Sequence, residues 1–350
     1  MRIQRIIFLL LSLSSPLLAR ENTDVVIMKN GDRLTGEIKG LNGGVLYVSM
    51  SYILGTSSID WSKVARVESK QLFIVKTQDG SVYRGMLTTA EAQGSRPISI
   101  DVIEASGNRA SVGQEQIVDV AATSDKLLQR FNGDVNFGAT YSKGNQTVQY
   151  VLGSNVEYLR ERWSADASWS SSLSTSSGVT ASTRNEITVS GRHLLPWNNW
   201  FYGGLGDFLQ SSVQGIPLQT SAGAGLGRYL KNTNRATISL MGGLAWQNTQ
   251  YGQANLTAGT QNLAAALIAA DMKLFQFNKT NLDVTGLLFP ALNQPGRVKF
   301  NTNVTYYIKI TGDLSWNVSF YGNWDNQPPP HFVGSDYGTS SGLSWTFGIK

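Results

Sequence analysis

The 350-residue sequence has a formal net charge of +5 and contains no cysteine, so neither a disulfide bond nor a thiolate-bound metal is available to it. A charge this small gives no reason to expect a nucleic acid or a strongly acidic partner. After residue 19 no apolar run reaches the roughly 18 residues that a transmembrane helix needs, and we therefore exclude a helical membrane protein.

The chain begins with the features of a secretory signal peptide. Arg2 and Arg5 are basic, residues 6–18 are mostly apolar, and Ala19 is a small residue suited to cleavage. Residues 1–19 are therefore predicted to direct export. Their removal takes away two arginines and lowers the net charge from +5 to +3.

Charged residues divide the rest of the chain near residue 125. Residues 20–125 contain 24 Asp, Glu, Lys and Arg residues, whereas the much longer segment 126–350 contains only 27. Trp61 is the only one of the nine tryptophans before residue 126. This contrast predicts a periplasmic domain over 20–125 and a membrane-embedded domain over 126–350.

The predicted periplasmic domain contains an internal repeat. Asn30–Ile38 aligns with Asp79–Leu87, and both segments begin with a dipeptide, Asn-Gly or Asp-Gly, that favours a two-residue hairpin turn. Ile59–Val64 aligns in the same way with Val112–Ile117. The domain is therefore predicted to be all-β, with two tandem units of about 50 residues each.

Each unit is predicted to hold five short strands in a small curled sheet of the Sm-like or SH3-like kind, with a one-turn break before the last strand. Gly36 and Gly85 occupy equivalent positions, where a strand of such a sheet bends sharply. Two adjacent units can share a core that neither could bury alone. The function stays open between a partner-binding module and a structural plug, spacer or oligomerisation surface, and the mixed signs of the charges favour the second.

Beyond residue 130 the sequence predicts a transmembrane β-barrel. From Arg297 to Lys350 apolar and polar residues alternate with period two, as around Phe300, Val304 and Tyr306. Strands of about ten residues with one apolar face are typical of such barrels, and closed bacterial barrels have an even number of strands. Twelve antiparallel strands are predicted, over residues 133–141, 147–159, 163–172, 182–193, 200–210, 219–230, 235–247, 262–276, 281–289, 297–309, 313–323 and 337–349.

Two further patterns support this topology. The connections that follow odd-numbered strands are longer than the others, which places the short turns on the periplasmic side. Aromatic residues gather where strands should meet the lipid headgroups. Those assigned to the periplasmic interface include Trp163, Trp200, Phe201, Trp316 and Trp345, and those assigned to the opposite interface include Trp246, Phe289, Phe300, Trp324 and Tyr337.

Charged side chains of the strands should point into the lumen, because the outer face contacts lipid. Three pairings are expected on neighbouring strands: Asp166 beside Arg184 and Glu186, Lys273 near Asp283, and Asp283 near Lys309. Internal ion pairs explain these residues better than a ligand site does. The residues assigned to the lumen are Asp134, Glu157, Asp166, Arg184, Glu186, Arg192, Asp271, Lys273, Asp283, Lys299 and Lys309.

The fifth to seventh predicted strands are rich in glycine, and their alternation is poor. Tight curvature, the close approach of an inserted loop and a wall left thin for a permeating solute are all compatible with this composition. The glycines are Gly203, Gly204, Gly206, Gly223, Gly225, Gly227, Gly242 and Gly243.

No catalytic constellation is predicted. Twelve-stranded barrels include an outer-membrane phospholipase that uses Ser, His and Asn, but this chain has only two histidines. His193 has no serine two residues beyond it on the same face, and His331 follows three prolines in the last outer loop. We therefore predict that the protein is not an enzyme and holds no cofactor and no metal.

The segments Lys29–Ile38 and Ile59–Val64, together with the barrel over residues 130–350, resemble a family of salt-induced outer-membrane proteins of unknown function. The second repeat departs from the pattern, because Gln114 stands where a tryptophan is expected. The resemblance implies an outer-membrane barrel but supplies no catalytic residue and no substrate.

These observations predict a non-enzymatic β-barrel in the outer membrane of a Gram-negative-type bacterium, surrounded by outer-membrane lipid. It would serve as a narrow pore or as a component of the response to envelope or osmotic stress. The alternative is a barrel filled by side chains that anchors a periplasmic head for a protein partner. No nucleic-acid partner is expected.

Overall fold

The computed structural model describes residues 23–89, 98–104, 106–122, 131–142, 147–176, 179–253, 256–276, 279–311 and 313–347. They form two β-structures, a nine-stranded sheet before residue 123 and a closed barrel after residue 130. None of these residues belongs to a helix long and apolar enough to span a bilayer. The signal peptide and the domain boundary between residues 125 and 126 lie outside the described residues, so both stay predictions.

The nine-stranded sheet, which we call the head, has the strand order β4-β3-β2-β1-β5-β6-β7-β8, with β9 paired to both β2 and β5. The sheet must curl upon itself, because β9 is hydrogen-bonded to both β2 and β5. The strands are β1 (Asp24–Met28), β2 (Arg33–Asn42), β3 (Val45–Ser49), β4 (Thr56–Asp60), β5 (Val64–Thr77), β6 (Val82–Thr89), β7 (Ser99–Glu104), β8 (Arg109–Gly113) and β9 (Ile117–Ala122).

The head repeats one five-strand plan twice. β5 belongs to both units, since its residues 64–68 pair with β1 and its residues 73–77 pair with β9. A 3-10 turn precedes the last strand of each unit, Trp61–Lys63 before β5 and Gln114–Gln116 before β9. The all-β fold predicted for this part of the chain is confirmed, and one continuous sheet joins the two five-strand units.

The first hairpin turn of each unit contains three residues, and the prediction of two-residue turns was wrong. In the first unit Met28 N donates to Asp32 O over 2.8 Å, and Thr77 N donates to Ser81 O over 3.0 Å in the second. Only Gly31 and Gly80 have a positive φ in these turns, at +94° and +85°. This is the arrangement of a three-residue hairpin that ends in a glycine bulge.

The two units share one hydrophobic core, to which both contribute buried residues such as Ile38, Val67, Phe73 and Ile117. Trp61 and Gln114 occupy equivalent positions and bond each other's backbone. Trp61 Nε1 donates to Gln114 O over 3.0 Å, while Gln114 Nε2 donates to Trp61 O over 2.7 Å and to Val64 O over 2.9 Å. The glutamine that departs from the repeat pattern is therefore one half of a reciprocal contact between the units.

The barrel has the twelve antiparallel strands that were predicted, and it closes where β10 pairs with β21. We call the end that carries connections 160–162, 195–199, 233–235, 277–279 and 312–313 the short-turn end, and the opposite end the long-loop end. The strands are β10 (Phe131–Ser142), β11 (Thr147–Leu159), β12 (Trp163–Ser176), β13 (Val179–Leu194), β14 (Trp200–Ser211), β15 (Ile216–Asn232), β16 (Ala236–Gln253), β17 (Leu256–Gln276), β18 (Thr280–Pro290), β19 (Val298–Thr311), β20 (Leu314–Asp325) and β21 (Ser335–Phe347).

At the long-loop end several strands extend further than predicted. β16 and β17 remain paired as far as Gln253 and Leu256, although a loop was expected over residues 248–261. β15 begins at Ile216 rather than at 219. Much of the expected loop length is therefore hydrogen-bonded hairpin, whereas connections 291–297 and 326–334 remain true loops.

The outer face of the barrel is apolar around its circumference. Exposed large side chains include Phe137, Leu152, Trp169, Ile187, Leu226, Leu244, Ile268, Phe320 and Leu343. A continuous exposed band of this kind marks a surface that contacts something apolar, and lipid-facing positions are apolar in membrane barrels. The barrel is therefore a transmembrane one of the outer-membrane kind.

Three of the aromatic residues assigned to the membrane interfaces, Phe201, Tyr229 and Phe289, face the interior instead, and Tyr229 packs against Phe201. Phe201 and Phe289 are each only 1% exposed, whereas Trp200 and Tyr202 on either side of Phe201 are exposed. The assignment was wrong because it used height along the strand and ignored the alternation of faces. The other interface tryptophans, Trp163, Trp200, Trp316 and Trp345 at the short-turn end and Trp246 and Trp324 at the long-loop end, are exposed.

Replacing Gly36 or Gly85 with alanine should loosen the head. A Cβ at residue 36 would lie 2.5 Å from Ser49 O, and one at residue 85 would lie closer still to Ile103 O. Because backbone atoms must move, we expect a cost of about 1–3 kcal/mol, seen as faster hydrogen–deuterium exchange of the neighbouring strands in the full chain. Gly113→Ala is the control, since its Cβ would meet only the flexible end of Gln116 at 3.3 Å. Exchange as slow as in the control would contradict the prediction.

Replacing Gln114 with leucine should also destabilise the head. The buried carbonyl groups of Trp61 and Val64 would lose their donor, which typically costs about 1–3 kcal/mol. The readout is the exchange protection of amides 61–67 in the full chain. Glu115→Leu introduces the same side chain at the adjacent exposed position, and we expect it to leave this protection unchanged.

Candidate functional site: the barrel lumen and the head across its mouth

The charged residues assigned to the lumen lie on the inner face of the barrel. On β12, for example, Trp163 and Trp169 are exposed on the outside and Asp166 alternates with them. The same alternation places all eleven predicted residues opposite the apolar band. They fall into a group near the long-loop end, a group near the short-turn end, and Lys309 at the rim.

Near the long-loop end, Arg184 is the centre of a buried polar group. Its Nη2 lies 3.1 Å from Glu186 Oε2, its Nε lies 3.9 Å from Asp336 Oδ2, and its guanidinium carbon lies 4.3 Å from the centre of the Tyr321 ring. Ser211 Oγ also donates to Asp336 Oδ2 over 2.7 Å. These groups balance charge inside the barrel wall, which supports the interpretation as internal ion pairs.

Asp166 is not part of that group, so the prediction that it lies beside Arg184 and Glu186 was wrong. The residue opposite Asp166 is Ser190, six positions along β13 from Arg184, and Ser190 Oγ donates to Asp166 over 3.0 Å. Alternation specifies the face on which a residue lies, but the stagger between two neighbouring strands specifies its partner.

A second buried ion pair near the long-loop end involves residues that the sequence did not single out. Arg297 binds Asp325 through two bonds, Nε to Oδ1 at 3.0 Å and Nη2 to Oδ2 at 2.6 Å. Lys299, which was assigned to the lumen, lies 3.9 Å from Asp325 Oδ2 and donates to Gln219 and Thr249. Arg297 and Asp325 were missed because each was placed at the edge of a predicted outer loop.

Near the short-turn end, an ion pair crosses the lumen. Arg192 on β13 binds Asp271 on β17, although four steps around the sheet separate these strands. Ser239 Oγ on β16 donates to the same carboxylate over 3.3 Å. Because side chains from two walls meet here, the lumen is narrow at this level.

The other predicted pairings have mixed outcomes. Lys273 lies opposite Asp283 in the β17 and β18 ladder, as predicted. The register places Thr305 opposite Asp283, so the predicted proximity of Lys309 was wrong. Lys309 Nζ instead donates to Ser58 Oγ of the head over 3.1 Å.

The glycine-rich strands enclose a dry apolar cluster on one side of the lumen. A Cβ at Gly223 would lie 3.0 Å from Leu267 and 3.3 Å from Ala245, and one at Gly227 would collide with the Phe201 ring. Glycine therefore makes room for inward apolar side chains, and the wall is not thin here. The buried members are Phe201, Met241, Ala245, Leu263, Ala265, Leu267, Ala269 and Phe289.

The opposite side of the lumen is polar and accessible to water. Inward positions of β12 carry a series of serines, and those of β19 to β21 carry further hydroxyl and amide groups. Ser168 and Asn303 are exposed although both lie on the inner face, and so is Lys273. Water therefore reaches this wall at Ser168, Lys273 and Asn303. Its other inward side chains include the half-buried Ser170, Ser172, Ser174, Ser319 and Ser340 and the buried Asn317 and Ser344.

At the long-loop mouth, loop 326–334 packs against β15 and β16. Ile216, Tyr251 and Phe332 form a buried cluster, in which the Tyr251 and Phe332 rings lie 5.3 Å apart. Arg297 Nη2 donates to Tyr251 Oη over 3.3 Å and links this cluster to the ion pair below it. Loop 326–334 is thereby fixed across the opening.

The head covers the short-turn mouth and contacts all five of its turns or the strand ends beside them. Asn199, in the left-handed conformation with φ +61°, donates from Nδ2 to Gln78 O over 2.6 Å. Arg84 Nη1 lies 3.4 Å from Glu161 Oε1. The remaining contacts join Asn232 to Thr77 O, Gly44 to Asn234, Gly43 to Phe275, and Ser58 to Lys309.

A cavity of about 90 Å³ lies between the β2–β3 hairpin of the head and the barrel rim. Tyr47 lines it from the head, and Asn281, Tyr307, Lys309 and Asp313 line it from the barrel. Burial, and then the charge of Asp313, raise the pKa of Tyr47 to about 12. The phenol therefore keeps its proton at neutral pH, and no further charge is added at this junction.

The two histidines lie far from each other in the chain and in different surroundings. His193 packs on the outside between Trp163 and Tyr202, with ring centres 4.4 Å and 4.9 Å away. His331 is exposed in loop 326–334 and has a left-handed φ of +70°. Within the described ranges, no group of three His, Cys, Asp or Glu residues is arranged to hold a metal ion.

Residues 135–347, well over half of the chain, match the family model described as "Protein of unknown function, DUF481". The chain belongs to this family. None of the curated proteins with which the sequence was compared matches it.

Several solved structures are similar to the barrel. They include the translocator domain of the autotransporter NalP from Neisseria meningitidis (13% identity, TM-score 0.33, covering 62% of this chain and 86% of that one). The COG4313 outer membrane channel from Pseudomonas putida F1 gives 12% identity and a TM-score of 0.35, with 62% and 94% coverage. The outer membrane protease OmpT from Escherichia coli gives 12% identity and a TM-score of 0.23, with 62% and 96% coverage.

Cross-linking can test the contact between the head and the rim. The chain has no native cysteine, so the double variant S58C/K309C contains the only two thiols. Ser58 Oγ and Lys309 Nζ are 3.1 Å apart, and we expect a short bis-maleimide to join these positions in membranes, as mass spectrometry of the digested protein would show. The pair S106C/K309C, with the first thiol in the β7–β8 turn, should give no link. Equal linking of both pairs would contradict the contact.

Proposed function

We propose that the protein is a narrow outer-membrane channel for small hydrophilic solutes, held closed at rest by its periplasmic head. The polar wall supports this proposal, because Ser168, Asn303 and Lys273 face an interior that water reaches. A barrel used only as an anchor has no need of a hydrated wall. The narrow level at Arg192 and Asp271 limits passage to small solutes.

The observation that carries the proposal is that the head contacts each short turn of the barrel or a strand end beside it. A domain that was only tethered beside the barrel would need one or two such contacts. Contacts from Glu161 around to Lys309 instead distribute the head over the whole mouth. Most of these contacts are single hydrogen bonds or exposed ion pairs, each worth about 0.5–1.5 kcal/mol or less, so the head can move without unfolding.

The proposed location follows from export and from the closed barrel. A chain with the predicted signal peptide leaves the cytoplasm, and a Gram-negative outer membrane is where barrels of this kind are inserted. Short turns belong on the periplasmic side, so the head that contacts them is proposed to lie in the periplasm. We propose no catalytic role and no nucleic-acid partner, and a contribution to envelope or osmotic stress remains part of this proposal.

One observation favours a second candidate, a barrel that anchors the head for a periplasmic protein partner. The apolar cluster around Leu267 and the buried group at Arg184 fill part of the lumen. Loop 326–334 also covers part of the long-loop mouth, where Phe332 packs against Ile216 and Tyr251. If both closures are permanent, the barrel conducts nothing and the head alone carries the function.

Planar-bilayer recording of the full chain separates the two candidates. We expect discrete steps of conductance for S58C/K309C before treatment. Joining the two thiols with a short, disulfide-containing bis-thiosulfonate reagent should abolish them, since the head can no longer leave the rim. A reducing agent should restore the conductance steps. Neither reagent should change the conductance of the cysteine-free parent chain.

Conductance that the cross-link leaves unchanged would show that the head is not the gate. Silence before and after treatment, from protein whose barrel is folded by heat-modifiable migration on a gel, would reject the channel and favour the anchor. Asn199→Ala removes one contact between head and turn and should raise the open fraction. Arg66→Ala removes an exposed ion pair within the head and serves as its control.

A further inference from the structure

The connection between β3 and β4 presents three large apolar side chains to solvent. Tyr52 is 66% exposed, Ile53 is 44% exposed, and Leu54 is fully exposed. The tip starts from the head core, where Met50 is buried, and Ile53 N donates to Met50 O over 3.2 Å. We call residues 51–55 the apolar tip.

The hairpin that carries the tip lies flat against the barrel rim. Leu46 and Val48 of β3 face the head core, whereas Val45 and Tyr47, on the other face of the strand, line the cavity against the barrel. The start of β3 lies near Phe275, and the middle of the hairpin lies at Lys309. The contacts of the hairpin thus run from Phe275 towards Lys309 and Asp313, and this direction points the tip towards the rim of β19 to β21.

The lipid-facing surface next to this part of the rim is strongly apolar. Ile310, Trp316 and Trp345 are 55%, 40% and 54% exposed at the short-turn ends of β19, β20 and β21. Tryptophan at this height marks the boundary between headgroups and acyl chains. The hairpin therefore directs its apolar tip towards a strongly apolar part of the outer surface of the barrel.

The repeat provides an internal comparison. The β7–β8 turn, Ser106, Gly107 and Asn108, holds the place in the second unit that the tip holds in the first, and its described residues are small or polar. Every hydrogen bond and ion pair between head and barrel given above comes from residues of β4, β5, β6 and the turn between β5 and β6, not from β7 or β8. The apolar connection therefore belongs to the first unit, whose β3 and β4 lie against the rim.

We propose that the apolar tip inserts into the headgroup boundary of the bilayer leaflet on the short-turn side, and so holds the head to the membrane beside the barrel. Burial of Tyr52, Ile53 and Leu54 in lipid gives the head an attachment that does not depend on its contacts with the rim. When those contacts break, the head pivots about the tip and remains over the mouth.

A single-cysteine probe tests this placement in the full chain. Leu54→Cys, labelled with an environment-sensitive fluorophore, is reconstituted in phosphatidylcholine vesicles that contain nitroxide-labelled lipid. We expect a blue-shifted emission that shallow nitroxides quench several-fold more than deep ones. Ser106→Cys is the water-exposed control from the equivalent turn, and Leu244→Cys on the outer face of β16 is the lipid-exposed control.

Emission and quenching equal to those of Ser106→Cys would overturn the proposal and leave a protein partner as the occupant of the tip. A blue shift that appears only at high protein-to-lipid ratio, without lipid quenching, would assign the tip to a second copy of the chain and would equally overturn it. Heat-modifiable migration shows that each labelled barrel is folded. The result does not depend on conductance, so it is independent of the proposed channel.

Discussion

The absence of hydrogen-bond partners in hydrocarbon is the constraint on which this structure depends. Every backbone amide that crosses the lipid must pair within the chain, so twelve strands close on themselves where β21 meets β10. Closure in turn divides each strand into an outward and an inward face. The outward face carries residues such as Leu244 and Trp345, and most charged side chains of the strands point inward, where Arg184, Arg192 and Arg297 each bind a carboxylate.

That division explains which parts of the structure could be read from the sequence. A period of two is written in the residues themselves, so the twelve strands, their order and the inward position of the charged residues were all predictable. Partners across strands were not, because they depend on stagger. Alternation puts Asp166 and Arg184 on the same face, yet the register separates them by six residues along β13. Likewise, Phe201 was assigned to lipid from its height on the strand, although its neighbours Trp200 and Tyr202 already occupy the outer face.

The head illustrates a different limit. The repeat predicted two units and one shared core, but a repeat cannot show that equivalent positions touch. Gln114 departs from the repeat pattern, yet its side chain donates to the carbonyl groups of Trp61 and Val64, while its backbone carbonyl accepts from the Trp61 indole. Two tryptophans at these equivalent positions would compete for the same space. One indole ring and one side-chain amide, as in Trp61 and Gln114, fit the contact between the units better.

The relation between head and barrel lies beyond any local pattern, because it joins turns that are more than a hundred residues apart. The Asn199 side-chain amide donates to Gln78 O, and that of Asn232 donates to Thr77 O. Neither bond can be predicted before the head and the barrel are both folded and placed against each other. Bonds of this strength hold a domain in position but are individually weak. Many weak contacts together can hold the head over the mouth, and yet each one breaks easily. If the head moves away, as proposed, solutes gain access to the hydrated wall at Ser168 and Asn303.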